Sequence, residues 1–137
     1  MSTTWEQLEG AALTLARSGA IKDRLTDAYR NHLAFVRAED LPLALREDFQ
    51  ACHDALTRER PLRGEDAVRA TVRKMSGIEA DELACRVVRL FAAIVREYAA
   101  DEAHATVATN GNVVELNNAF NGLAAHARSG AAREIAL

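Results

Sequence analysis

At 137 residues, 49% of them apolar and 27% charged, the chain has the arithmetic of one globular domain that needs neither disulfides nor a structural metal to hold a core. Seventeen basic residues against 20 acidic ones leave a net charge of −3, too balanced for the phosphate attraction of nucleic-acid binders or for a polybasic membrane anchor. Aromatics make up only 5%, and Ala, Leu, Arg and Glu dominate, so an all-α fold is expected: a compact bundle of about six helices packed through small side chains.

The start, Met1 to Glu6, lacks the basic and apolar regions of a secretory signal, and no apolar run is long enough to span a bilayer. A cytoplasmic location is therefore expected. Cys52 and Cys85 stand alone inside helical patterns, which suits small hydrophobes in a reducing compartment. Lys22 and Lys74 are the only lysines among many arginines, a composition typical of a GC-rich bacterial genome.

The first helix is expected from Trp5 to Ser18. Thr4 and Gln7 have capping-box spacing, Trp5, Leu8, Ala12 and Leu15 form a stripe, and Gly19 can close the end. Ile21, Leu25, Ala28, Tyr29, Leu33 and Val36 then carry a second helix to Ala38. Pro42 is placed as the first helical residue of a third, whose buried side is Leu45, Phe49, Cys52 and Leu56. Pro61 and Gly64 end that stretch, and Glu65-Asp66 open a short fourth helix with Val68, Val72 and Met75 inward.

The clearest signal is the fifth helix. Ser76 with Glu79 is a capping box, and Ala80, Ala84, Val87, Phe91, Ile94 and Tyr98 alternate at four- and three-residue steps towards His104. Asn110-Gly111 reads as a reversal, and Asn112 with Glu115 opens a sixth helix carrying Val113, Leu116, Phe120 and Leu123, which makes a C-terminal helical hairpin. One domain over residues 1–128 with a short tail at 129–137 is the expected organisation.

The adjacent acid pairs Glu39-Asp40, Glu47-Asp48, Glu65-Asp66, Asp81-Glu82 and Asp101-Glu102 fit first-turn charges and i,i+4 pairs such as Asp54 with Arg58 and Glu82 with Arg86 better than catalysis. His32, His53, His104 and His126 lack the spacing that sets two metal ligands on one helix face, so no metal and no cofactor is expected. A helix-turn-helix around Ser76-Gly77 would present Glu79, Asp81 and Glu82 to phosphates, which argues against nucleic acid as a partner.

The most informative polar feature is the basic run of Arg58, Arg60, Arg63, Arg69, Arg73 and Lys74, continued by Arg86, Arg89 and Arg96. Arg60, Arg63, Arg69, Arg73, Lys74, Arg86 and Arg89 are the candidate residues for docking a carboxylate- or phosphate-bearing partner, since guanidinium forks grip both. Val87, Phe91, Ile94, Tyr98, Leu116, Asn117 and Phe120 are the candidate interface, an apolar seam that calls for a second copy or another protein. The expected function is thus a non-enzymatic helical adaptor or regulatory protein acting through self-association or partner binding. The alternative is a small helical-bundle enzyme or binder that uses Arg69, Arg73, Tyr29 and His32 on an anionic metabolite.

Overall fold

The computed structural model describes residues 3–110. Among them the fold is all-α, with five α-helices, two single 3-10 turns and no strand. The helices are α1 (Thr4–Leu15), α2 (Ile21–Asn31), α3 (Leu43–Leu56), α4 (Ala67–Lys74) and α5 (Gly77–Asn110). The expected sixth helix, its hairpin and the boundary at 128/129 lie outside the described residues. The chain divides into two compact units, Met1–Val95 and Arg96–Leu137, so the division falls within α5. No helix of the described residues is long and apolar enough to cross a membrane.

The first unit holds a core drawn from every helix: Leu8, Ala11 and Leu15 of α1, Leu25 and Ala28 of α2, Leu45, Phe49, Cys52 and Leu56 of α3, Val68 and Val72 of α4, and Ala80, Leu83, Ala84, Val87, Leu90 and Ile94 of α5. The inward stripes of α3, α4 and α5 follow the sequence periodicity. In α1 Leu8 and Leu15 are buried as expected, while Ala11 and Thr14 complete the inward face in place of Ala12, and Trp5 lies at the surface.

Helix ends depart from expectation where a side chain engages the backbone groups at the terminus. The cap of α1 is Thr3, not Thr4: the Thr3 amide donates to Glu6 Oε1 at 2.8 Å and the Glu6 amide donates to Thr3 Oγ1 at 3.3 Å. A carboxylate closes this box better than the Gln7 amide would. The same helix stops at Leu15, short of Ser18, because the Arg24 guanidinium gathers the carbonyls of Leu15 and Gly19. Gly19, at φ +108°, occupies a backbone region that favours glycine, but in the connection to α2 and not as the closing residue of α1.

α2 ends at Asn31, well before Ala38. His32 leaves the helical region at φ −137°, ψ −62°, and Leu33–Phe35 continue as a 3-10 turn. Asn31 and His32 are both weak helix formers, and the His32 ring is engaged by α1: its Nδ1 lies 3.2 Å from Gln7 Oε1. Leu33 and Val36 still reach the core, through the turn instead of a helix. Pro42 is the N-cap of α3 and not its first helical residue, since its ψ of 143° is extended. The Arg46 guanidinium donates to the carbonyls of Leu41 and Glu39, at 2.9 and 3.2 Å, and so ties the Ala38–Asp40 turn to α3.

Two devices set α4. Asp66 caps it, accepting the Arg69 amide at 2.9 Å. The buried Thr71 hydroxyl donates to the Ala67 carbonyl at 2.8 Å and accepts the Glu59 amide at 2.9 Å, which holds the α3–α4 connection onto the helix. Ser76 and Glu79 then open α5 with the expected reciprocal bonds, at 2.9 and 3.1 Å.

Candidate functional site

α2 packs against α4, and Lys22, Asp23 and Thr26 of α2 face Arg69, Val72 and Arg73 of α4 across an open cavity of about 280 Å3. The α4 residues stand at i, i+3 and i+4, so helical geometry puts them on one face. Three cationic side chains thus share the lining with a single carboxylate.

Each of these charges has a definite setting. Arg73 Nε and Nη2 donate to the two oxygens of Glu65 at 3.3 and 2.9 Å, which fixes the guanidinium. That fork holds the Glu65 carboxyl below its ordinary pKa, helped by the Leu62 amide that donates to it at 3.0 Å. Arg69 Nη1 lies 3.9 Å from Asp23 Oδ1, close enough to attract but too far for a hydrogen bond. The Thr26 hydroxyl donates to the Lys22 carbonyl at 2.9 Å and so has no proton left for a ligand. Glu79 is also within reach of the Lys22 charge, although its depressed pKa comes first from the Ser76 amide.

The predicted basic run is divided among several places. Arg69 and Arg73 enter the cleft. Lys74 pairs with Glu59 at 3.1 Å, and Arg60 and Arg63 are exposed on the α3–α4 connection. Arg58 lies 3.7 Å from both Glu59 and Glu79 and does not pair with Asp54, while Glu82 and Arg86 form no ion pair. Arg86 and Arg89 line a shallow cavity of about 420 Å3 with Asp81, Glu82 and Cys85, where acids and bases are nearly balanced.

The residues expected to join Arg69 and Arg73 in a pocket do not reach it. The Tyr29 hydroxyl sits 3.0 Å from His53 Nε2, beside Phe49, and burial raises its pKa. His32 fills the space beside Gly10. The candidate interface is also redistributed: Val87 and Ile94 are fully buried within the core, Phe91 is partly buried against it, and Tyr98, in the second unit, is 36% exposed. Leu116, Asn117 and Phe120 lie outside the described residues.

Lys22, Asp23 and Thr26 were not legible as site residues. The one hint was that Lys22 is one of two lysines in an arginine-rich chain. Among the described residues no group of three or more His, Cys, Asp or Glu side chains gathers as a metal site requires. No family model, no curated protein and no solved structure matches the chain.

Proposed function

We propose that the first unit is a binding module for small anionic molecules bearing phosphate or carboxylate, with the α2–α4 cleft as its site. The observation that carries this reading is the meeting of Lys22, Arg69 and Arg73, from two helices, around one cavity, with Asp23 in the same lining and Glu65 bound to Arg73. Cations held on opposite walls strengthen one another towards an anion that can reach both, and guanidinium forks supply directed donors.

Thermal denaturation at constant ionic strength tests it. A ligand present at about 100 times its Kd stabilises by roughly 2.7 kcal/mol, which for a domain of this size raises Tm by about 10 °C. Arg69→Ala and Lys22→Ala should each abolish most of that rise. A panel of phosphorylated and carboxylated metabolites that leaves Tm unchanged removes the reading.

A second reading, a helical adaptor that associates with its own kind or with another protein, has its own observation. Val88 and Val95 are 44% and 43% exposed on α5, seven residues apart and so on one face. Light scattering behind size-exclusion chromatography decides it: a dimer mass that falls to a monomer mass in Val88→Lys/Val95→Lys supports this face, and a monomer at high concentration removes it.

A further inference from the structure

We infer that the α2–α4 cleft selects a phosphate monoester in its dianionic form over carboxylates and phosphodiesters, with Asp23 as the internal acid that such a ligand must outcompete. This rests on the anion-binding reading above and adds the class of ligand.

The donors available to a ligand come from separate directions. Arg69 has its guanidinium uncommitted to any hydrogen bond, with Asp23 held at 3.9 Å. Arg73 has given Nε and Nη2 to Glu65, which leaves Nη1 while keeping the side chain in place. Lys22 presents an ammonium from the opposite helix. Thr26 adds no donor, because its proton is already on the Lys22 carbonyl. All the donors are therefore cationic side chains, on two walls.

A carboxylate has two oxygens in one plane and is satisfied by one fork. A phosphate monoester has three terminal oxygens in a tetrahedral array and carries close to two negative charges near neutral pH. Three cations against Asp23 and the Arg73-bound Glu65 leave an excess of one positive charge, and the approach of the three cations from two walls matches the three-oxygen array of the second ligand in direction. The volume of about 280 Å3 is small beside the pockets that enclose whole metabolites, so it suits a headgroup with the rest of the molecule outside.

The charged groups around the ligand are Lys22, Arg69, Arg73, Asp23 and Glu65, with Glu79 near Lys22. A phosphate monoester loses its second charge near pH 6. Affinity should therefore fall about tenfold between pH 7.5 and 5 for the monoester alone.

Titration calorimetry of the full chain with methyl phosphate, dimethyl phosphate, acetate and oxalate, at fixed ionic strength, tests the inference. Methyl phosphate should bind most tightly at pH 7.5 and weaken at pH 5, while oxalate, a dianion at both, changes much less. Asp23→Asn should tighten methyl phosphate by at least about threefold by removing a like charge, and Arg69→Ala should weaken it.

Oxalate or dimethyl phosphate binding as well as methyl phosphate overturns the selectivity and leaves the anion-binding reading standing. Binding to none of the four overturns both. Methyl phosphate binding that Asp23→Asn and Arg69→Ala leave unchanged places the ligand elsewhere and overturns the inference.

Discussion

Asp66 grips Arg30 with both carboxylate oxygens, Oδ2 to Nε at 2.7 Å and Oδ1 to Nη2 at 3.0 Å, while Oδ1 also accepts the amide of Arg69. One side chain thus caps α4 and ties its first turn to the last turn of α2. Because Asp23 and Lys22 sit at the other end of α2, facing Arg69 and Arg73, this fork is what holds the two walls of the cleft in register.

That arrangement has a pH signature. The Arg30 guanidinium, first, and the Arg69 amide hold Asp66 below its ordinary pKa. A carboxyl depressed in the folded state contributes stability that is present above the ordinary aspartate value, about 4, and lost as pH falls through the depressed one. Asp66→Asn keeps a capping side chain but no charge, and since the pair is solvent-exposed the loss at neutral pH should stay below about 1 kcal/mol. Thermal melts from pH 6 down to pH 2.5 should show the variant less stable at the upper end and converging with the wild type at the lower. Parallel curves would mean that the fork adds nothing.

Gly10 is a different kind of constraint. A Cβ there would come within 2.4 Å of His32 Cε1 and Nδ1, so the imbedded imidazole would have to leave its place against Gln7. Helix propensity alone favours Gly10→Ala by about 1 kcal/mol, while overpacking costs about 1 to 3 kcal/mol. The clash should win, and Gly10→Ala should lower stability in urea denaturation. In a His32→Ala background the same substitution should change sign and stabilise, which is the outcome that separates crowding from any intrinsic defect of alanine at this position.

Ser76 and Glu79, three residues apart, were readable as the start of α5 because both bonds of a capping box close within one turn. The buried stripes of α3, α4 and α5 were readable for a related reason: burial on a single helix repeats with its own period. The end of α2 was not, since Leu33 and Val36 keep helical spacing and are buried, yet reach the core through a 3-10 turn. The cleft was half visible. Arg69 and Arg73 share a helix face, but Lys22 reaches them only through the packing of α2 on α4, and no sequence period links distant segments.

Thr71 tests how the long connection before α4 is held. Its side chain is fully buried and its hydroxyl is both a donor to Ala67 and the acceptor for the Glu59 amide. Thr71→Val keeps the shape and leaves that amide without its acceptor, at a cost of about 1 to 3 kcal/mol. Hydrogen exchange at the Glu59 amide should accelerate along with the loss of global stability. A stability loss with unchanged exchange there would point to packing and not to the lost bond.

Tyr29 and His53 join α2 to α3 through a hydrogen bond at 3.0 Å, with ring centroids 5.5 Å apart. His53 Nδ1 is buried and has no hydrogen-bond partner; the nearest carboxylate oxygen, on Asp54, is 3.6 Å away. Nε2 and the Tyr29 hydroxyl therefore carry the polar satisfaction of the whole pair. Tyr29→Phe removes it, leaving both ring nitrogens without protein partners, and should cost about 1 kcal/mol or somewhat more. Burial, with the Asp66 charge as a second cause, raises the Tyr29 pKa above its ordinary value. A group whose folded pKa is raised contributes stability that is complete below the unfolded pKa, near 10, and lost as pH climbs through the folded one. Wild-type stability should accordingly decline above about pH 10, and Tyr29→Phe should decline less steeply over the same interval. Equal slopes in the two proteins would show that the phenol ionises as freely in the fold as in the unfolded chain.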